Sequence, residues 1–210
     1  MNKLFPAIAA FVVVGCGATI AQKPDEKQLN EELRTELRKR VKEDQDARQK
    51  FIEWLKTRGT IDPKKAAEEP IAKKLAEIDE ANTKWLKEVV EKHGWPGKSL
   101  VGTDGAHDAW LLVQHADRDR AFQKKCLELM KPLVTTGEVS KGDFAYLTDR
   151  VLVADAKKQL YGTQFHEMNG KMEPQPIEDE AKVDDRRREM GLTPLTEYRK
   201  LIEETYQKKK

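Results

Sequence analysis

The stretch Ala109-Trp110-Leu111-Leu112-Val113-Gln114-His115-Ala116-Asp117 decides how this chain is read. Its first five residues would be apolar on every side of a helix, so the segment belongs at the centre of a helical core. An amide, an imidazole and a carboxylate follow almost at once. Asp104 is a good N-cap, which predicts a helix from about Gly105 to His115. Downstream, Asp117 or Asp119 caps a helix through Phe122, Cys126, Leu129 and Met130, bent or ended by Pro132 and closed by Gly137. Ser140 caps another along Phe144, Leu147, Val151 and Ala154. Tyr161 to Gln164 reads as a turn or short extended piece, and Met168 to Pro176 as a polar loop. One further helix carries Val183 and stops at Gly191. A last one starts at Thr193 and Pro194 and uses Leu195, Tyr198, Leu201 and Ile202.

Upstream, Pro70 opens a helix to about Lys92, with Ile71, Leu75, Ile78, Trp85, Leu86 and Val89 on one face. Asn82 falls within that face, where an amide without partners costs about 1–3 kcal/mol. His93-Gly94-Trp95-Pro96 supplies a glycine stop and a proline turn. Before it, Leu29, Leu33, Leu37, Val41, Ala47, Phe51 and Leu55 form one stripe of a helical arm packed on the domain. Lys42 to Asp46 reads as a solvated turn of that helix. No run alternates convincingly as a strand, and no repeat recurs. The fold class is all-α, an irregular bundle of six to eight helices with an N-terminal helical arm.

The chain has 210 residues, and its 39 basic and 37 acidic side chains nearly cancel. That balance argues against a nucleic-acid partner. Two cysteines exclude a disulfide framework. Residues 1–21 carry a single charge, Lys3. Leu4 to Gly15 has the length of a signal-peptide core and is short for a membrane span. Val13-Val14-Gly15-Cys16 resembles a lipobox, in which Cys16 is lipidated. Cleavage after Ala21, or retention of the segment as an uncleaved anchor, are the competing readings. All three place the protein outside the cytoplasm, with membrane attachment through lipid favoured. The organisation expected is a leader (1–21), a tether with the helical arm (22–62) and a helical domain (63–210).

Several blocks carry a resemblance. His93-Gly94-Trp95-Pro96, Val101-Gly102, Ala109 to Asp117, Phe122-Gln123, Ala145 to Val151 and Gln159 to Gln164 occur in order. Pro176 to Asp179, Val183 to Arg187 and Gly191-Leu192 follow, and Asp79 with Asn82-Thr83 fits the second helix. Together they resemble a bacterial family of domains of unknown function, DUF6624, over about residues 70–200, with the arm at 22–60 largely outside. The resemblance implies a mainly helical domain and no particular activity. Arg120 stands where relatives often have proline.

His115 is the leading candidate for chemistry, since an imidazole titrates near neutrality and serves as acid, base or ligand. Asp117 would orient it, or both would bind a metal. The competing reading is a histidine bonded to backbone beside a capping aspartate. Asn82, Trp95, Gln114, Tyr161 and Gln164 are the candidate ligand-binding residues, set against structural roles for each. Asp149-Arg150 reads as a structural ion pair, and Cys126 as a core residue. Three functions follow: a domain binding a small molecule, peptide or envelope protein through a polar pocket; a hydrolase-like enzyme; and a purely structural envelope module. No cofactor is specified by any motif.

Overall fold

The computed structural model describes residues 29–58, 61–168 and 170–207. The leader with Cys16 and most of the tether lie outside them. Eight α-helices occur among the described residues: α1 (Glu31–Arg58), α2 (Pro63–Glu68), α3 (Pro70–His93), α4 (Lys98–Gln114), α5 (Arg120–Thr135), α6 (Lys141–Ala154), α7 (Val183–Glu189) and α8 (Leu195–Gln207). The fold is an all-α irregular bundle. One small departure is an antiparallel hairpin of β1 (Phe165–Met168) and β2 (Lys171–Pro174), pairing Phe165 with Pro174 and Met168 with Lys171. It corrects the expectation of a polar loop from Met168. Its strands have four residues each, too short to show alternation.

The arm is built into the bundle. The Asn30 side chain accepts the Leu33 N–H at 3.0 Å and so caps α1. Leu33, Leu37 and Val41 are buried, and α1 packs against both α3 and α4. Two charged clamps reinforce the α1–α4 seam: Arg34 meets Asp104 at 2.9 Å and Arg38 meets Asp108 at 2.7 Å.

Helix α4 begins earlier than Asp104 suggests. It starts at Lys98 and kinks at Gly102, whose φ of +77° is open to glycine and strained for other residues. Asp104 bonds the Gly105 N–H at 3.0 Å inside the helix. Beyond the kink, Ala106, Ala109, Trp110, Leu112 and Val113 are all buried. The core continues through Leu86, Cys126, Met130 and Leu147. Burial pushes the Cys126 thiol up to about 12, so it is a packing residue without thiolate reactivity.

Asp119 is the residue that caps α5, accepting the Phe122 N–H at 3.0 Å, and Ser140 caps α6 through the Asp143 N–H. Pro132 lies within the last turn of α5, which runs on to Thr135. These caps fix the turn from Gln114 to Asp119, which closes α4 and opens α5. The candidate site is built around that turn.

Candidate functional site

Helix α1 carries Asp44 one turn beyond Val41 and Arg48 two turns beyond it, on the same stripe. Asp44 is fully buried, although its neighbours Glu43 and Asp46 are exposed. The stretch expected to be a solvated turn therefore sends one carboxylate inward. Asp79 approaches from α3, and His115 from the C-terminal end of α4. One ligand atom from each of Asp44, Asp79 and His115 lies within 4.8 Å of the other two.

The Nδ1 of His115 is 3.0 Å from Asp44 Oδ2. Arg48 Nε reaches both Asp44 oxygens, at 3.1 and 3.2 Å, and is 3.1 Å from the same His115 Nδ1. Its Nη2 pairs with Asp79. Nδ1 cannot donate to Asp44 and accept from Arg48 at once. The Asp44 oxygens satisfy Arg48, so Nδ1–H donates to Asp44, and in the neutral ring the lone pair is then on Nε2.

The two carboxylates are poised differently. Burial alone would raise Asp44, but His115 and Arg48 outweigh it and hold the carboxyl below its ordinary value. Asp79 goes the other way. Burial, helped by the neighbouring Asp44 carboxylate, outweighs the Arg48 pair and pushes Asp79 up to about 6. Opposite shifts in adjacent titratable groups are a mark of functional sites, although ion-pair networks also produce them.

Two members of the cluster, Asp79 and His115, line a groove of about 490 Å³ together with Thr83, Lys84, Lys87 and Arg118, while Asp44 lies buried behind them. Lys87 pairs with Asp119. Lys84 and Arg118 pair with no carboxylate among the described residues. The Thr83 hydroxyl is committed to the Asp79 carbonyl at 2.7 Å. It is therefore not set up as a nucleophile.

The other candidate residues are placed elsewhere. Asp117 makes a two-pronged pair with Arg150 and accepts from the Gln123 amide. Burial opposes its ionisation, yet Arg150 keeps its carboxyl below the ordinary value. Asp44, not Asp117, is the carboxylate on His115. Gln114 lies in the turn, its carbonyl taken by Gln123 at 3.2 Å and its Oε1 buried without a partner. Asn82 sits one turn along α3 from Asp79, accepting from Arg40 at 3.1 Å while its Nδ2 is unpartnered. Arg40 also stacks over Trp85, 4.3 Å from the ring centre. Trp95 lines a separate cavity with His107, Trp110 and Asp143.

Tyr161 and Gln164 belong to a lock around Asp149, which is fully buried on α6. Asp149 accepts the backbone N–H groups of Leu160, Tyr161 and Thr163 at 2.8–3.1 Å, and the Thr163 hydroxyl at 2.9 Å. The expected Asp149–Arg150 pair does not form, because Arg150 serves Asp117. Arg187, 1% exposed, donates to the Tyr161 carbonyl at 2.6 Å from the other side and packs over Tyr198. Gln164 completes the lock by donating its backbone N–H to Gln159 at 2.8 Å.

Fold and site together define an all-α domain with a carboxylate–imidazole–guanidinium cluster at the wall of a polar groove. The chain belongs to the family of unknown function DUF6624, whose family model matches residues 31–210 and thus takes in the helical arm. No curated protein and no solved structure matches the chain. Among the described residues, no helix is long and apolar enough to cross a membrane.

Proposed function

We propose that this domain binds a small polar molecule carrying an anionic group, and that His115 and Asp79 exchange protons with it. The observation that carries the reading is that His115 and Asp79, from two helices, line one groove while the buried Asp44 of a third helix lies against them. A fully buried Asp44 holds the imidazole in one tautomer, as an acid–base histidine requires. Lys84 and Arg118 favour the anionic end of a ligand. The hydrolase-like reading uses the same residues, with water as the nucleophile and Asp44 as the orienting carboxylate. The structural reading suits the Asp149 lock better than this cluster, whose Asp79 is held against its own ionisation.

A thermal-shift screen of the purified domain against carboxylates, phosphate esters, amino acids and short acidic peptides tests the proposal. At least one class raises the Tm of the wild type, and His115→Gln removes that response while leaving the unliganded Tm within a few degrees. A uniform lack of response, or an unchanged response in His115→Gln, contradicts it.

We also propose that the chain is exported and tethered to a membrane by lipid on Cys16, its partners lying in the cell envelope. The support is the sequence of residues 1–21. Cys16→Ser is expected to move the protein from the membrane pellet to the soluble fraction and to abolish incorporation of a labelled fatty acid. Retention of the variant in the pellet contradicts lipid attachment.

A further inference from the structure

In the cluster a single arginine is shared by two carboxylates and an imidazole, which ligand binding in the groove does not by itself require. Arg48 contacts every member, bonding Asp44 and Asp79 and lying 3.1 Å from the His115 nitrogen. One guanidinium faces two carboxylates in a partly buried place. A divalent ion in the position of the guanidinium would neutralise both. The ligand set of two carboxylate oxygens and one imidazole nitrogen suits zinc or manganese. Each donor comes from a different helix, which fixes the set on rigid elements. One donor atom from each of the three residues lies within 4.8 Å of the other two, a spread that a single ion can span. Arg48 is the most exposed member of the cluster, at 25% of its side chain, and its aliphatic stem lets the head group swing outward to solvent.

We infer that Asp44, Asp79 and His115 form a site for one divalent transition-metal ion, and that Arg48 occupies it as an internal cation in the metal-free protein. The inference rests on the groove being the functional site, because two of the three ligands, Asp79 and His115, line it and an ion held by three side chains keeps open positions for a ligand or water. Metal entry exchanges one cation for another. Arg48 leaves its carboxylates, and the His115 ring releases a proton if its protonated nitrogen becomes the ligand.

The test uses the full chain after chelator treatment, titrated with zinc by calorimetry and with manganese by electron paramagnetic resonance. One ion per chain is expected for at least one of the two metals. Arg48→Gln clears the site, so it binds tighter and shows a larger ion-induced rise in Tm than the wild type. Asp79→Asn and His115→Ala each weaken binding by at least about tenfold, a loss that even outer-shell changes often produce. Asp79 is partly exposed, so its variant is expected to fold even if the His115 variant does not. The inference is overturned if neither wild type nor Arg48→Gln binds an ion stoichiometrically, or if Asp79→Asn binds as the wild type does. Ligand response in the thermal-shift screen without metal binding overturns the ion site alone. Metal binding without any ligand response overturns the ligand reading alone.

Discussion

Asp149→Ala is expected to cost about 3–5 kcal/mol of folding stability, read from urea unfolding at neutral pH. The Asp149 carboxylate is fully buried and accepts three backbone N–H groups and the Thr163 hydroxyl. Alanine leaves those donors unpaired in the interior, at about 1–3 kcal/mol for each that finds no substitute. It also removes a negative charge near the buried Arg187, which donates to the far side of the same Tyr161 residue. The lock ties α6 to the Gln159–Gln164 turn, the hairpin and the C-terminal helices, so its loss loosens that whole end. Burial outweighs the donors and sets the carboxyl above its ordinary value. An asparagine at this position would carry no charge and would keep one acceptor oxygen, so Asp149→Asn should lose less than Asp149→Ala. An alanine variant unfolding within about 1 kcal/mol of wild type would show that the donors find other acceptors.

Much of the bundle was legible in the sequence. The all-apolar run before Gln114 placed the buried helix, and Pro70, Gly94, Ser140 and Gly191 marked ends that the structure respects. These signals are local, written in capping and periodicity. What was not legible is long-range. The carboxylate on His115 comes from Asp44, 71 positions away, rather than from nearby Asp117. A signal for it did exist. Asp44 and Arg48 continue the spacing of Leu33, Leu37 and Val41, so two charged residues stand on an otherwise apolar stripe. Asp44 reads as solvent-facing only because Lys42, Glu43 and Asp46 surround it. The hairpin escaped for a different reason, since two short strands are stabilised by their pairing and by the contact of β2 with α8. Tyr161 and Gln164, read as ligand-binding candidates with a structural lock as the alternative, lie around Asp149 and Arg187 and do not line the His115 groove.

Asp79→Asn is expected to act in the opposite direction to Asp149→Ala, despite breaking an ion pair. Arg48 alone would lower the Asp79 pKa, but burial and Asp44 raise it from 3.8 to about 6. A group raised in the folded state gives its full stabilisation below the unfolded pKa, here near pH 4. That contribution is lost as pH rises through about 6. The rise corresponds to about 3 kcal/mol of lost stability once Asp79 is ionised, at about 1.4 kcal/mol per pK unit. Asparagine is neutral at every pH and escapes this loss, while Arg48 keeps its bonds to Asp44. The variant should therefore match the wild type near pH 4 and exceed it by about 1–3 kcal/mol at pH 7.5, the lower figure allowing for the lost Arg48 pair. A carboxylate held at a stability cost fits a residue kept for function rather than for folding.

That Asp44, Asp79 and His115 form a functional site and not a helix lock is tested most directly by one measurement. It is the unfolding free energy of Asp79→Asn relative to wild type at pH 7.5, in metal-free buffer. The predicted result is a variant more stable than the wild type by about 1–3 kcal/mol, with the difference vanishing towards pH 4. A variant destabilised by more than about 1 kcal/mol at pH 7.5 would contradict it, because the Asp79–Arg48 pair would then be holding α1 to α3.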